Sequence, residues 1–449
     1  MKKIKAGLFS RSLEIAKISV NLGVQAASHA ASELLKTKSS PEDTEHRFRQ
    51  LLESQMKVIA QGLGELKGSA MKVGQLLSMM GEHFLPPEAN RILKSLQMDS
   101  PPLAWESIEK VLQSELGPDR LEELDISQQA FAAASLGQVH LARRKKDDLQ
   151  IALKVQYPGV ARAIDGDLAA LRFALQSTRL LPSGARYDAL FDEVREMLHQ
   201  EVDYQQERSQ TEFFEKAFAE DPRYLVVQAV PEFSTEKVLA TKFVQAHRVD
   251  DPEVLALSLA RRNEIGKAFL DLYLRELFEL KVVQTDPHLG NFKIRREDGG
   301  KDRVVLLDFG ATRRVSDEFL NSYCELVTGA LLRDRDAIMR GGHRLRFLQT
   351  GDTPEQEAAF VDFCELMAEP LHGGVYNFGA TDLPKRLHPL GTKLAFALRL
   401  RPPPREVLFI DRKMAGIFVL LKVLRCEFDP RPLVEARLQA HRSSRPASR

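Results

Sequence analysis

The sequence predicts an α+β fold in two lobes, a small strand-rich lobe followed by a larger helical one, with a helical extension ahead of both. Three observations predict it. Apolar residues recur with helical spacing from Leu51 and Leu52 through Leu76 and Leu77. From Phe131 the period shortens to two, with Val139 and Leu141, then Ile151, Leu153 and Val155. After Pro252 helical spacing dominates again, interrupted by the apolar run Val304-Val305-Leu306-Leu307.

Taken in order, residues 1–43 read as an N-terminal helical segment closed by the polar break Lys38-Ser39-Ser40-Pro41-Glu42-Asp43. The segment opens basic, and Glu14 and Lys17 interrupt any secretion-signal core. A basic amphipathic helix at a membrane surface and a solvated helix packed on the body are both open readings. Residues 44–125 form a helical extension, with further helices expected near 88–96 and 103–116, the latter ending at Gly117-Pro118. Residues 126–245 form the strand-rich lobe, with a helical insert from about Gly166 to Phe218. Its charged run Arg143 to Asp148 reads as a solvated hairpin connection. Short strands are expected at Leu225-Val226-Val227 and Val238 to Thr241. Residues 246–441 form the helical lobe, and 442–449 a disordered basic tail.

Composition narrows the function. Lys and Arg number 64 against 63 Asp and Glu, so no nucleic-acid partner is expected, because phosphate neutralisation needs clustered positive charge. Cys324, Cys364 and Cys426 lie far apart and form no C-x-x-C pair, which excludes a zinc ribbon and a disulfide framework and points to a reducing compartment. No stretch approaches the ~18 uninterrupted apolar residues of a membrane-spanning helix. A cytoplasmic setting is expected, with peripheral membrane contact and an organelle left open.

The chemistry concentrates in short motifs. Asp286-Pro287-His288-Leu289-Gly290-Asn291 sets an Asp five residues before an Asn, and Asp308-Phe309-Gly310 follows directly after the apolar run. A kinase catalytic loop has the same spacing, with the carboxylate at the reacting phosphate and the amide oxygen on a metal. The D-F-G aspartate supplies a further metal ligand. A triphosphate carries close to four negative charges, so it needs divalent metal held by hard oxygens on short rigid segments. Asp286 is therefore the candidate catalytic base or water-positioner, and Asn291 and Asp308 the candidate Mg2+ ligands. Upstream, Ala152-Leu153-Lys154 sits in an alternating strand, as the phosphate-bridging lysine of V-A-I-K does. Before it, Ala132-Ala133-Ala134-Ser135-Leu136-Gly137 has the spacing of G-x-G-x-x-G with alanine at the first two glycine positions. A turn there would lay backbone N–H groups over the phosphates of ATP or ADP, and a helical turn is the rival reading. Gln138 and Val139 continue the candidate nucleotide contacts. Glu207, on a helical segment after the strand, is the chosen carboxylate partner of Lys154, resembling the αC glutamate of kinases.

Taken together these segments resemble the UbiB (AarF/ADCK) family of atypical kinases. The resemblance rests on Lys72-Val73-Gly74-Gln75, Ala132 to His140, Ala152 to Val160, Glu201-Val202-Asp203-Tyr204, Asp286 to Asn291 and Asp308 to Gly310, with Phe409 to Gly416 resembling the family's C-terminal lobe. It implies a protein-kinase-like fold in which the K-x-G-Q helix of the N-terminal extension packs over the active site. Lys72 and Gln75, at i and i+3 of one helix face, would meet Glu201 and Asp203. It also implies Mg-ATP binding with hydrolysis or small-molecule phosphorylation in isoprenoid-quinone metabolism of the ubiquinone type. The expected partners are a nucleotide, a quinone precursor or other lipid, a membrane surface and a biosynthetic protein complex.

The sequence departs from the family's D-P-H-P-G-N at Leu289, and residues 241–246 lack its acidic hinge residue and closing glycine. No A-P-E follows Gly310, and Ser316-Asp317-Glu318 already reads as a helix start. A protein substrate is therefore disfavoured. An aminoglycoside-type small-molecule kinase and a lipid-binding scaffold that uses nucleotide as a switch stand as the other readings.

Overall fold

The computed structural model describes residues 72–74, 76–77, 102–134, 136–177, 185–398 and 405–443. Gln75, Ser135, residues 1–71, the helix expected near 88–96 and residues 444–449 lie outside the described residues. Arg442 and Ser443, expected in a disordered tail, instead end the last helix, where Arg442 donates to Thr328 Oγ1 at 2.6 Å. The chain divides into two compact units, one ending at Gln206 and including Ala229–Phe243, the other comprising Glu207–Gln228 and Val244–Arg449.

The first unit is built on an antiparallel sheet of β1 (Leu124–Ile126), β2 (Ala132–Ala134), β3 (Gly137–Arg144), β4 (Leu149–Gln156) and β6 (Val238–Lys242). Its order is β1-β3-β4-β6, with β2 also pairing β3. Alternation decides the faces: Ile151, Leu153 and Val155 are fully buried, while Ala152 and Lys154 between them are half-buried. Helix α1 (Trp105–Glu122) contains the helix expected at 103–116 from Trp105 onward, and its path breaks at Gly117 as the sequence suggests. Gly117 adopts φ 74° and breaks the helical path, after which Pro118 starts another turn. The helical insert is three helices: α2 (Val160–Ser177), α3 (Ala185–Glu201) and α4 (Tyr204–Phe218). The break before α4 is chemical, because Asp203 Oδ1 accepts from Gln206 N at 2.9 Å and caps the new helix.

In the second unit β5 (Tyr224–Val226), β10 (Arg303–Leu306), β9 (Phe292–Arg295) and β7 (His247–Arg248) form a sheet in that order. Two-stranded pairs add β8 (Val282–Gln284) with β11 (Thr312–Arg314), and β12 (Tyr376–Asn377) with β13 (Glu427–Phe428). Beside α4 from Glu207 onward, its described residues form α5 (Pro252–Leu255), α6 (Leu259–Arg275), α7 (Asp317–Leu332), α8 (Arg335–Arg344), α9 (Pro354–Met367), α10 (Leu383–Ala397), α11 (Arg405–Val423) and α12 (Arg431–Ser443). Ser316 caps α7 by accepting from Phe319 N, as its sequence suggests. No helix among the described residues is long and apolar enough to cross a membrane.

Candidate active site

In the first unit, Ala132–Ala134 is strand β2, paired antiparallel with β3 from Gly137 onward, which rules out the helical-turn reading for these residues. Register places Ala132, Val139 and Lys154 in one cross-strand row, and Ala134 opposite Gly137. Directly opposed residues share a face, so Val139, Ala152 and Lys154 line one side with Ala132 and Ala134. Gly137 has no room for a side chain: a Cβ there would lie 2.3 Å from Val155 O and 3.0 Å from the Tyr204 hydroxyl. The Lys154 ammonium stands 5.1 Å from the centroid of the Tyr204 ring. Tyr204 thus touches both halves of the candidate phosphate cradle, a role its place in E-V-D-Y did not reveal.

Gln138 has another task. It lies on the opposite, core-facing side of β3, in the row of Ala133 and Val155. Its Oε1 accepts from Leu103 N at 2.8 Å, and its Nε2 lies 2.8 Å from His140 Nε2. His140 Nδ1 lies 2.8 Å from Ser127 O. A carbonyl only accepts, so Nδ1 carries the proton and Nε2 accepts from Gln138, the neutral tautomer. Burial pushes the His140 pKa below its ordinary value. The Q-V-H part of the motif therefore joins the sheet to the chain entering α1.

Lys72, buried in a short helical stretch, donates to Glu201 at 3.0 Å, one of the two carboxylates that the family resemblance implies for it. Asp203 is exposed and serves as the cap of α4.

In the second unit the D-x-x-x-x-N and D-F-G motifs converge by strand pairing. Phe292 is the register partner of Leu306, and Leu307 N donates to Asn291 O at 3.1 Å. The ladder thus brings Asn291 beside the segment that enters Asp308. Asn291 Nδ2 donates to Asp286 O at 2.8 Å and to Asp286 Oδ2 at 3.3 Å. Asp308 Oδ1 accepts from Gly310 N at 2.9 Å. Glu207, 2% exposed, joins them: a Cβ on Gly310 would lie 3.1 Å from Glu207 Oε2 and 3.4 Å from Asp308 Oδ1. Two turns along α4, Phe214 stacks on Phe309 with centroids 4.5 Å apart. That contact fixes the D-F-G segment against the helix that carries Glu207. His288 Nδ1 accepts from Gly290 N at 3.1 Å, so this histidine shapes the loop. Lys154 and Glu207 belong to different units.

Helix α11 supplies residues to which the motifs assign no role. Arg412 Nη2 donates to Asp286 Oδ1 at 2.6 Å. Lys413 pairs with Glu276 at 2.9 Å, both buried. Gly416 lies so close to the loop that a Cβ would sit 2.2 Å from the Pro287 ring. The signal was present in Phe409 to Gly416, but nothing in its spacing says which distant residues it meets.

Comparison with known proteins places the chain in a family. The profile of the ABC1 atypical kinase-like domain matches residues 95–341. The chain is 32% identical over 446 residues to the mitochondrial atypical kinase COQ8B of Rattus norvegicus, covering 99% of this chain and 83% of that one. It is 31% identical over 418 residues to the mitochondrial atypical kinase COQ8 of Saccharomyces cerevisiae, covering 92% and 81%. Among solved structures, Rv3197 of Mycobacterium tuberculosis in complex with erythromycin matches with a TM-score of 0.61 at 26% identity, covering 87% of this chain and 97% of that one. Motifs, two-unit α+β architecture and relatives coincide, and the chain belongs to the ABC1 (UbiB) family of atypical kinases.

Proposed function

We propose that this chain binds ATP or ADP with Mg2+ and acts as an atypical kinase or ATPase in the biosynthesis or homeostasis of an isoprenoid quinone of the ubiquinone type. The observation that carries the reading is the joining of Asp286, Asn291 and the D-F-G aspartate through one strand pair and one amide. The donor set fits a hard cation: a carboxylate from Asp308 and an amide oxygen from Asn291, whose two bonds both leave from Nδ2. A bound Mg2+ would neutralise phosphate charge as the transferred group leaves.

The chain's own groups would do the rest. Asp286 would orient the attacking hydroxyl or water, and Lys154 with Glu207 would orient the phosphates. The backbone of the Ala132–Gly137 hairpin, with Ser135, would cover them, beside Val139 and Ala152. Residues 126–245 would serve as the nucleotide lobe and 246–441 as the catalytic lobe. The extension 44–125 would bring Lys72 and Gln75 to Glu201 and Asp203. Between Gly310 and α7 the chain makes little more than strand β11, paired to β8, which leaves no platform for a peptide.

The quinone assignment follows from the family resemblance and from relatives named as COQ8 kinases of mitochondria. Peripheral membrane attachment and a place in a biosynthetic complex belong to the same proposal. The test is nucleotide hydrolysis with and without quinone-like lipid in liposomes. Asp308→Asn is expected to lose about 10³-fold in rate, and lipid to change the wild-type rate. A wild type that neither hydrolyses Mg-ATP nor gains thermal stability from it overturns the reading.

A further inference from the structure

The amide of Gln284, the last residue of β8, is held on every side. Its Oε1 accepts from Lys413 Nζ at 3.2 Å, and its Nε2 donates to Asp286 O at 2.8 Å. Its backbone N–H donates to Glu276 Oε2 at 3.1 Å. The chain is dry: Gln284 is 3% exposed, Lys413 0% and Glu276 1%. Lys413 also stands 5.5 Å from the centroid of Phe292, the residue after Asn291. The amide orientation is dictated, since an ammonium only donates and a carbonyl only accepts.

The consequence falls on Asn291. The carbonyl of Asp286 receives two amide donors, Gln284 Nε2 and Asn291 Nδ2, each at 2.8 Å. A carbonyl oxygen has two lone pairs, and both are then used. The position of that carbonyl, with the longer contact of Nδ2 to Asp286 Oδ2 at 3.3 Å beside it, decides which end of the Asn291 amide faces it. With Nδ2 bound there, Oδ1 is turned to the other side. A flipped amide would present NH2, which cannot ligate a cation.

We infer that Gln284 is a positioning residue that fixes the oxygen of Asn291 for a divalent cation, acting through the Asp286 carbonyl and anchored by the Lys413–Glu276 pair. This rests on the proposed Mg-nucleotide function and names a residue of that site to which neither motif nor relative assigns a role. Partners of metal ligands typically change metal affinity by about 10- to 100-fold.

Lys413 and Glu276 are poor probes, because removing either leaves an uncompensated buried charge and an unfolded protein. Gln284→Met is the sharper variant. It adds no charge and nearly keeps the volume, but loses the Nε2 donor to Asp286, while Lys413 stays paired with Glu276. The measurements are Mn2+ affinity by titration calorimetry in the presence of a non-hydrolysable ATP analogue, affinity for the analogue without metal, and melting temperature. Gln284→Met is expected to weaken Mn2+ about 10-fold or more, with metal-free nucleotide affinity within about twofold and a lower melting temperature. Gln284→Asn, whose shorter amide does not reach the Asp286 carbonyl, is expected to weaken Mn2+ as well. Unchanged Mn2+ affinity in Gln284→Met overturns the inference, as does equal weakening of metal-free nucleotide binding. If Gln284→Met does not fold, unchanged Mn2+ affinity in Gln284→Asn overturns it in the same way. A wild type that binds no Mn2+ with the analogue indicts the nucleotide reading instead, so the two failures are distinguishable.

Discussion

The hairpin Ala132–Gly137 and the loop Asp286–Asn291 are both short turns next to strands, yet they are held in opposite ways. The hairpin is tied by its own ladder, Ala132 to Val139 and Ala134 to Gly137, and its first alanines are exposed. The loop is tied by side chains, from Gln284 and Asn291 nearby and from Arg412, 126 residues away. Gly416 adds a close backbone approach to Pro287. In the proposed function the hairpin covers phosphates, and a cover has to open and close, so local backbone pairing suffices. The carboxylate proposed to align a reacting atom has to stay put, since a misplacement of about 1 Å costs on the order of 10²-fold in rate. Substitutions in the hairpin should therefore act on stability, and substitutions around the loop on turnover.

The largest effect on that contrast is expected from Gly137→Ala. The obstructing atom is a backbone oxygen that cannot rotate away, so a loss of about 3 kcal/mol is expected in urea unfolding. A stable Gly137→Ala protein would mean that the β3–β4 pair yields more than its register implies.

Arg412→Ala comes next. It is expected to lower turnover about 10²-fold while leaving the Michaelis constant for nucleotide within about threefold. Combined with Asp286→Asn it should cost little more than Asp286→Asn alone, because both changes act on one carboxylate. Full additivity in that double-mutant cycle would show that Arg412 works elsewhere.

A smaller effect is tied to pH. His140 is buried neutral, with its pKa below the ordinary 6.5 because burial disfavours the charged ring. In the unfolded chain the ring takes up a proton near pH 6.5 while the folded chain resists. Its contribution is thus fully present above that pH and is lost as pH falls through the folded pKa. Melting temperature should drop from about pH 7 to about pH 5, and less so in His140→Asn. Identical pH profiles for the two proteins would remove His140 from the account.

The mildest change, Ala134→Gly, probes the hairpin while leaving both regions folded. Added freedom in the unfolded chain should cost about 0.5–1 kcal/mol. The looser hairpin should alter affinity for Mg-ATP against Mg-ADP, and identical titrations would refute that.

Much of this architecture was legible in the letters, and particular residues show why. Period-two spacing at Ile151, Leu153 and Val155 located β4 and the face opposite Lys154, because alternation depends only on neighbours along the strand. The D-x-x-x-x-N and D-F-G motifs were legible because each is a few residues long and its spacing is its geometry. Gln138 shows the opposite limit. It sits one residue from Gly137 in a recognised motif, yet the pleat turns it to the core and onto Leu103. Sequence proximity placed it in the cradle, and strand parity removed it.

By itself the sequence determined which segments form strands and helices and which residues have the chemistry of a phosphate and metal site. Those properties follow from local periodicity and from the functional groups themselves. Only the tertiary structure decided that Arg412 and Gly416 grip the Asp286 loop, that Glu207 lies beside the D-F-G segment, and that Lys413 reaches Gln284 and Glu276. Such contacts join residues far apart in the chain. Their geometry is set by how a buried core packs and satisfies its polar groups, and no short-range pattern encodes it.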